Sequence, residues 1–410
     1  APAQPTVLHC TFTQEYEPIS IIAKGGDFAF ATGWGLELSH AGHSSELRLQ
    51  WPHRGLDLPL GVRWLEEGDG TLVAVEITGD LQAAEALVGF GERYDAVDQR
   101  GRTLDTIVYE QYKNHGNRSY LPVPFFLSNR GYGCHVEGTG RVHYDLGHTV
   151  SDRWRCLAYT GSQEHIAVDL FGGEPLAILR AFVALAGSPS APPPAWVFGP
   201  WMSSNEWNTQ QRVEQELAKT LELDIPATAL VIEAWSDETT FYIWNGARYT
   251  PKEGADRFRL EDFTFAPDGP WPDPKSMMDR LRHAGVQLVL WQIPALKAMD
   301  APHAQHDADS AHAVAQGYVL RRKNGELYRN PAFWFHDALI PDFTQDKAAD
   351  WWLKKRAYLV EQLGVAGFKT DGGEHLQGHD VVAADGRFGD ELANAYPNLY
   401  VGAYSRYARR

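Results

Sequence analysis

A chain of 410 residues is too long for one average hydrophobic core and suits two or three domains. Its 53 acidic and 37 basic side chains leave a net charge of −16, so no positive field gathers phosphates, and neither nucleic acid nor membrane is expected as a partner. No apolar run approaches the roughly 18–20 residues that span a bilayer.

A soluble protein is therefore expected, a cytoplasmic setting being slightly favoured over secretion; the opening APAQPT leaves a removed leader open. Cys10, Cys134 and Cys156 have no metal-ligand spacing, and neither a zinc site nor a disulfide scaffold is expected. His303 and His306 invite a metal reading, but APHAQHDADSAH reads better as a polar loop; no cofactor or metal is expected. The 14 Trp and 17 Tyr are numerous, and sugar rings pack on such faces, although large cores bury aromatics too.

The first part alternates apolar and polar residues between turn signals. SIIAKGGDFAFATG, SELRLQW, GTLVAVEITG and HIAVDLFGG all show this period of two. Short strands without a long helix until about residue 174 predict an antiparallel β-sandwich over residues 1–187, closed by a helix at EPLAILRAFVALAG. The prolines of GSPSAPPPAW mark a linker at 188–196.

From residue 197 to 410 the rhythm becomes strand, helix, strand, helix. VFGPW (197–201), ATALVIEAW (227–235), VQLVLWQ (286–292) and VAGFKTD (365–371) read as buried strands. TQQRVEQELAKTLELD, SMMDRLRHAG and residues 346–363 read as intervening helices, and YPNLYVGAYSRYARR (396–410) as a last one with Pro397 in its first turn. Four such units fit an open doubly wound sheet or half of an eightfold barrel. No GxGxxG or GxxxxGK[ST] follows any strand, which removes the main support for a nucleotide enzyme. In a barrel, reacting groups stand where strands end, and Trp201, Glu233, Trp291 and Asp371 fall at such ends.

Six segments, in order, resemble glycoside hydrolase family 31, the retaining α-glycosidases that include α-glucosidases, α-xylosidases and α-galactosidases. They are GFGERYD (89–95), YLPVPFFLSNRGYG (120–133), PPPAWVFGPWMS (192–203), GVQLVLWQIP (285–294), IPDFTQDKAADWW (340–352) and GFKTDGGE (367–374). The resemblance implies an N-terminal antiparallel β-sandwich followed by a (β/α)8 TIM barrel, of which about four βα units lie in this chain. It implies that Asp371 is the nucleophile of a reaction cleaving α-glycosidic bonds with retention, on an α-linked glucoside-like carbohydrate, with α-galactosidase, α-xylosidase or transglycosylase activity as the alternatives within the family.

That chemistry needs one carboxylate about 5–5.5 Å from a carboxylic acid, so that a covalent glycosyl intermediate forms and is then resolved. A carboxylate at the end of a buried strand is held for such a task; the plainer reading is a turn cap. Lys369, two residues earlier, lies on the same side of the strand as Asp371, positioned to act on it and on a sugar hydroxyl.

The resemblance further implies that Glu233, where many relatives have Asp, grips substrate hydroxyls, with Asp237 as a competitor. Trp291 and Trp201 offer ring walls or core packing. Glu374 and His375 follow the nucleophile as GGEH, and Gly372 and Gly373 replace a bulkier pair, leaving space beside Asp371. His379 and Asp380 read as surface loop. Tyr112, Asn117 and Arg118 in YEQYKNHGNRSY are lid candidates. The family's acid/base aspartate is expected beyond Arg410, so the remaining half of the barrel, in the same protein or a complementary chain, is an expected partner. The isolated chain is expected to be inactive and aggregation-prone, because a half barrel leaves strand edges uncovered. A carbohydrate-binding relative without catalysis is the alternative from another class.

Overall fold

The structure, a computed structural model, describes residues 6–13, 20–23, 36–41, 44–51, 56–69, 72–110, 115–163, 165–187 and 192–409. Tyr112, linker residues 188–191 and positions 24–33 of the first strand reading lie outside the described residues. Two compact units divide the chain, Ala1–Ser190 with Arg387–Ala395 and Ala191–Gly386 with Tyr396–Arg410.

The first unit is built from two antiparallel sheets. One has six strands in the order Ser20–Ala23, Thr6–Thr13, His165–Gly172, Tyr132–Val136, Pro122–Ser128 and Leu87–Gly91. The other has seven, ordered Leu36–Ala41, Ser44–Trp51, Leu56–Glu66, Leu72–Asp80, Arg153–Tyr159, Val142–Leu146 and Thr103–Asp105. The alternation read from the sequence puts Val75, Ile77, Tyr144, Trp154 and Cys156 of the second sheet in one core with Phe126, Tyr132 and Cys134 of the first.

GFGERYD owes its glycines to a bulge. Gly89, Phe90 and Gly91 all have positive φ (122°, 65° and 81°), and a Cβ on Gly91 would fall 1.9 Å from the Leu121 carbonyl oxygen. The kink turns the Phe90 ring onto Phe126 and Tyr144. Asn117 donates from Nδ2 to the Thr103 carbonyl at 3.1 Å, and the Arg118 guanidinium lies over the Tyr109 ring, so both lid candidates have partners within this unit.

The second unit holds four parallel strands, Trp201–Ser204, Ala229–Ile232, Gln287–Gln292 and Gly367–Thr370, each paired with the next in the chain. An open doubly wound sheet reverses its strand order at a switch point, and this one does not. The succession is that of a barrel wall, and the barrel is partial in this chain. Helices Gln210–Glu222, Pro274–His283 and Asp346–Glu361 run between the strands. Thr209 and Asp273 cap the first two by accepting from the amides of Arg212 and Ser276.

Three sequence expectations are corrected here. VFGPW is not a strand: Ala195–Phe198 form a 3₁₀ turn, shaped by Pro192–Pro194, and the strand begins at Trp201. APHAQHDADSAH is not a loop, because Ala304–Gln316 is an α-helix whose buried face is largely polar. The last helix starts at Gly389, not in front of Pro397, which lies inside it. Among the described residues no helix is long and apolar enough to cross a membrane.

Candidate active site

The strand register sets the site. Ile232, Leu290 and Phe368 are paired side by side on the second, third and fourth barrel strands. Glu233, Trp291 and Lys369 stand one residue further on, at the carboxyl ends, and Asp371 follows two residues after Lys369 on the same side. The backbone N–H of Asp371 donates to the Gln292 carbonyl at 2.9 Å, carrying the pairing one step past the formal strand.

The Asp371 carboxylate is half-buried and held at both oxygens. Oδ2 accepts from Trp291 Nε1 at 2.7 Å, and Oδ1 from the Gly372 amide at 2.9 Å. Trp291 is itself fixed, because its carbonyl accepts from Trp235 Nε1 at 3.0 Å and from Gln292 Nε2 at 2.8 Å. Phe241 meets the Trp291 ring edge-on at 5.5 Å, Phe335 stacks at 6.3 Å and Trp334 lies at 6.2 Å. Phe241 and Phe335 both adopt positive φ (57° and 54°), a conformation costly for bulky residues and met where surrounding structure enforces it.

Lys369 does not pair with Asp371. Its Nζ donates to Glu233 Oε1 at 2.7 Å, and Ser203 Oγ reaches the same oxygen at 3.4 Å. The expectation of a cation acting directly on Asp371 is thereby replaced by a carboxylate–ammonium pair that reaches from the second barrel strand to the fourth, past the third between them. Glu233 Oε2 is left for a further donor, as a sugar-hydroxyl acceptor requires.

Four other sequence candidates land elsewhere. Trp201 opens its strand, at the end opposite Glu233 and Lys369; it is 43% exposed, donates from Nε1 to the Val197 carbonyl and lies against Trp196. Asp237 fastens its own loop, accepting from the amides of Thr239 and Thr240 and from Thr240 Oγ1, with His303 Nε2 at 3.4 Å. The hydrogen bond to Asp237 holds the His303 imidazole above its ordinary range. Glu374 is half-buried in the irregular segment that follows the Gly367–Thr370 strand. His375 is 2% exposed, its ring lying against Gly372 and Trp334. Burial pushes its imidazole down to about 4, against the opposing pull of the Asp371 carboxylate. Asp380, read as surface loop, pairs with Arg322 Nη1 at 2.7 Å.

Sequence reasoning missed Gln292. Fully buried, it accepts through Oε1 from Arg356 Nε and from the Tyr404 hydroxyl, while its Nε2 donates to the Phe241 carbonyl. The available signal was a glutamine closing an otherwise apolar run, VLWQIP. Among the described residues no group of three or more His, Cys, Asp or Glu is placed to hold a metal ion.

Residues 190–410 match the family described as the glycosyl hydrolases family 31 TIM-barrel domain, and residues 37–145 its N-terminal galactose mutarotase-like domain. The chain is 41% identical over 352 residues to an isomaltosyltransferase of Sporosarcina globispora, covering 85% of this chain and 32% of the relative. It is 43% identical over 350 residues to a 1,3-alpha-isomaltosidase of Kribbella flavida, covering 84% and 48%. The chain thus spans about half or less of the length of these curated relatives. Among solved structures, a cycloalternan-degrading enzyme from Trueperella pyogenes, solved in complex with a covalent intermediate, is 33% identical and superposes with a TM-score of 0.78 over 100% of this chain and 63% of its own. A cycloalternan-forming enzyme from Listeria monocytogenes, in complex with a pentasaccharide substrate, is 30% identical, with a TM-score of 0.80 over 99% and 43%.

Proposed function

The chain belongs to glycoside hydrolase family 31, and from that premise we propose that Asp371 is the nucleophile of a retaining enzyme acting on α-linked glucose oligosaccharides. A carboxylate oxygen of Asp371 attacks the anomeric carbon. The bond to the leaving oxygen breaks, and that oxygen takes a proton from the second carboxylic acid that this reaction class requires. Water or a sugar hydroxyl then displaces Asp371, giving hydrolysis or transfer from one glycosyl–enzyme intermediate.

One observation carries this reading: a strand-end carboxylate fixed at both oxygens by Trp291 Nε1 and the Gly372 amide, with Lys369 of the same strand paired to Glu233 at the end of the second barrel strand. Two oriented donors spare the carboxylate the reorganisation a freely rotating one undergoes. The relatives' names favour an isomaltosyl unit as the group released or transferred.

A fluorinated α-glucosyl fluoride that traps the intermediate tests the proposal. Mass spectrometry of the active enzyme should find the added glycosyl on the peptide carrying Asp371, and Asp371→Ala should abolish both adduct and turnover. Normal turnover in Asp371→Ala would exclude it, and tight binding of an isomalto-oligosaccharide without any adduct would favour the non-catalytic relative.

A further inference from the structure

His375 has no evident task as a ligand for substrate, being buried, yet it is an awkward residue to bury. Neither Nδ1 nor Nε2 finds a hydrogen-bond partner in the protein. A leucine or phenylalanine would fill the same space without leaving two polar atoms unpaired. What the ring touches is informative. A Cβ on Gly372 would fall 2.6 Å from His375 Cε1 and 2.9 Å from Nε2, so the imidazole occupies the space a side chain at 372 would need. Gly372 also has φ +71°, the left-handed conformation that glycine adopts freely. Its amide is the donor to Asp371 Oδ1.

On its other side the ring meets Trp334, edge to face, at 5.5 Å between centroids, and Trp334 packs in turn on Trp291, the donor to Asp371 Oδ2. The backbone under the ring is pinned as well. Tyr328 donates from its hydroxyl to the His375 carbonyl at 3.3 Å and accepts from the Gln377 amide at 3.0 Å.

We infer that His375 is a positioning residue: its ring is the wedge that sets both donors to the Asp371 carboxylate, the Gly372 amide from below and the Trp291 indole through Trp334. This rests on Asp371 being the nucleophile, and it gives the glycine at 372 a reason, since the space beside Asp371 that the sequence suggested is taken by the imidazole and not left for substrate.

The test compares wild-type enzyme with His375→Leu and Gly372→Ala. In His375→Leu the thermal midpoint should hold or rise, because two unpaired polar atoms are removed. The rate of trapping by the fluorinated glucosyl fluoride should fall roughly tenfold to a hundredfold, the scale of a slight misplacement of a reacting group. Binding of isomaltose, which needs no nucleophile, should be unchanged. Gly372→Ala pushes on the ring without removing it and should slow trapping in the same way. A readout free of catalysis is hydrogen exchange of the Trp291 indole N–H by NMR, which should quicken in both variants. If wild-type enzyme forms no adduct but the indole exchange responds in both variants, the glycosidase reading fails while the placement of the two donors by the His375 ring stands. Wild-type trapping and exchange in both variants would overturn the inference, as would losses of activity that only track a loss of folded protein.

Discussion

Trp291 and Asp371 lie 80 residues apart and meet at 2.7 Å, the indole N–H donating to carboxylate Oδ2. The contact is a product of register, because Trp291 pairs with Lys369 across the third and fourth barrel strands and Asp371 follows two residues on. Trp291→Phe keeps an aromatic ring against Phe241 and Phe335 and removes the N–H donor together with part of the indole bicycle. A hydrogen bond to a charged group is worth about 1.5–3 kcal/mol, so formation of the glycosyl intermediate should slow by roughly tenfold to a hundredfold. Pre-steady-state trapping measures this, and a variant that traps at the wild-type rate removes the indole from the mechanism.

The Glu233–Lys369 pair offers a cleaner separation of stability from function. Lys369 is 42% exposed, and an ion pair open to solvent contributes at most about 1 kcal/mol to folding. Glu233→Gln should therefore leave the thermal midpoint almost unmoved. Its effect should fall on the recognition of sugar hydroxyls, raising KM for oligosaccharides more than it lowers kcat. Glu233→Asp withdraws the carboxylate by one methylene and should alter the ranking of a panel of aryl α-glycosides. An unaltered ranking and unaltered KM would place Glu233 outside the substrate contacts.

Where apolar residues do the folding, the sequence was readable. Leu230, Ile232, Leu288 and Leu290 announce buried strands, and Val213 and Leu217 a helix stripe, because each element must hide that surface. The helix Ala304–Gln316 announced nothing, since its buried face is made of Gln305, His306, Asp309 and Ala313. Asp309 accepts from Tyr242, Gln305 and Lys355, and only the folded chain brings these donors to it. At the site, Asp371 and Glu233 were legible as carboxylates at strand ends. The partner of Lys369, the depth of His375 and the role of Gln292 were not, because each depends on which neighbour a side chain meets across the sheet.

Gln292 can be tested by what it leaves behind. Arg356 is 1% exposed, lies over the Trp352 ring at 3.7 Å and donates from Nε to Gln292 Oε1. Gln292→Leu would strip that buried cation of an acceptor and leave the Tyr404 hydroxyl with one fewer partner. Losing a buried hydrogen bond to a charged group costs about 1.5–3 kcal/mol, so the denaturant midpoint should drop with an unchanged slope. Gln292→Leu together with Arg356→Met removes both members, and it should recover much of the loss. A double variant no more stable than the single one would show that the pair is not coupled.

His375 also predicts a pH dependence of folding opposite in sign to that of a histidine paired with a carboxylate. Burial holds its imidazole at about 4, against 6.5 when free. Below 6.5 the unfolded chain binds a proton that the folded chain refuses, so this residue lowers stability as pH falls from 6.5 towards 4, and contributes no penalty above that window. The penalty builds as pH falls and levels off only where the folded imidazole also takes up its proton, at about 4. His303 works the other way. Its bond to Asp237 raises its range, so its contribution is present at acid pH and fades as pH rises through that raised range. Comparing urea unfolding of wild type and His375→Leu across pH 4–7 (roughly the window set by these values) cancels every other titration. The variant should lose about one proton's worth of slope and be the more acid-resistant of the two. Parallel stability curves would mean that the imidazole titrates in the fold as it does in water, and so is not held buried against Gly372 and Trp334.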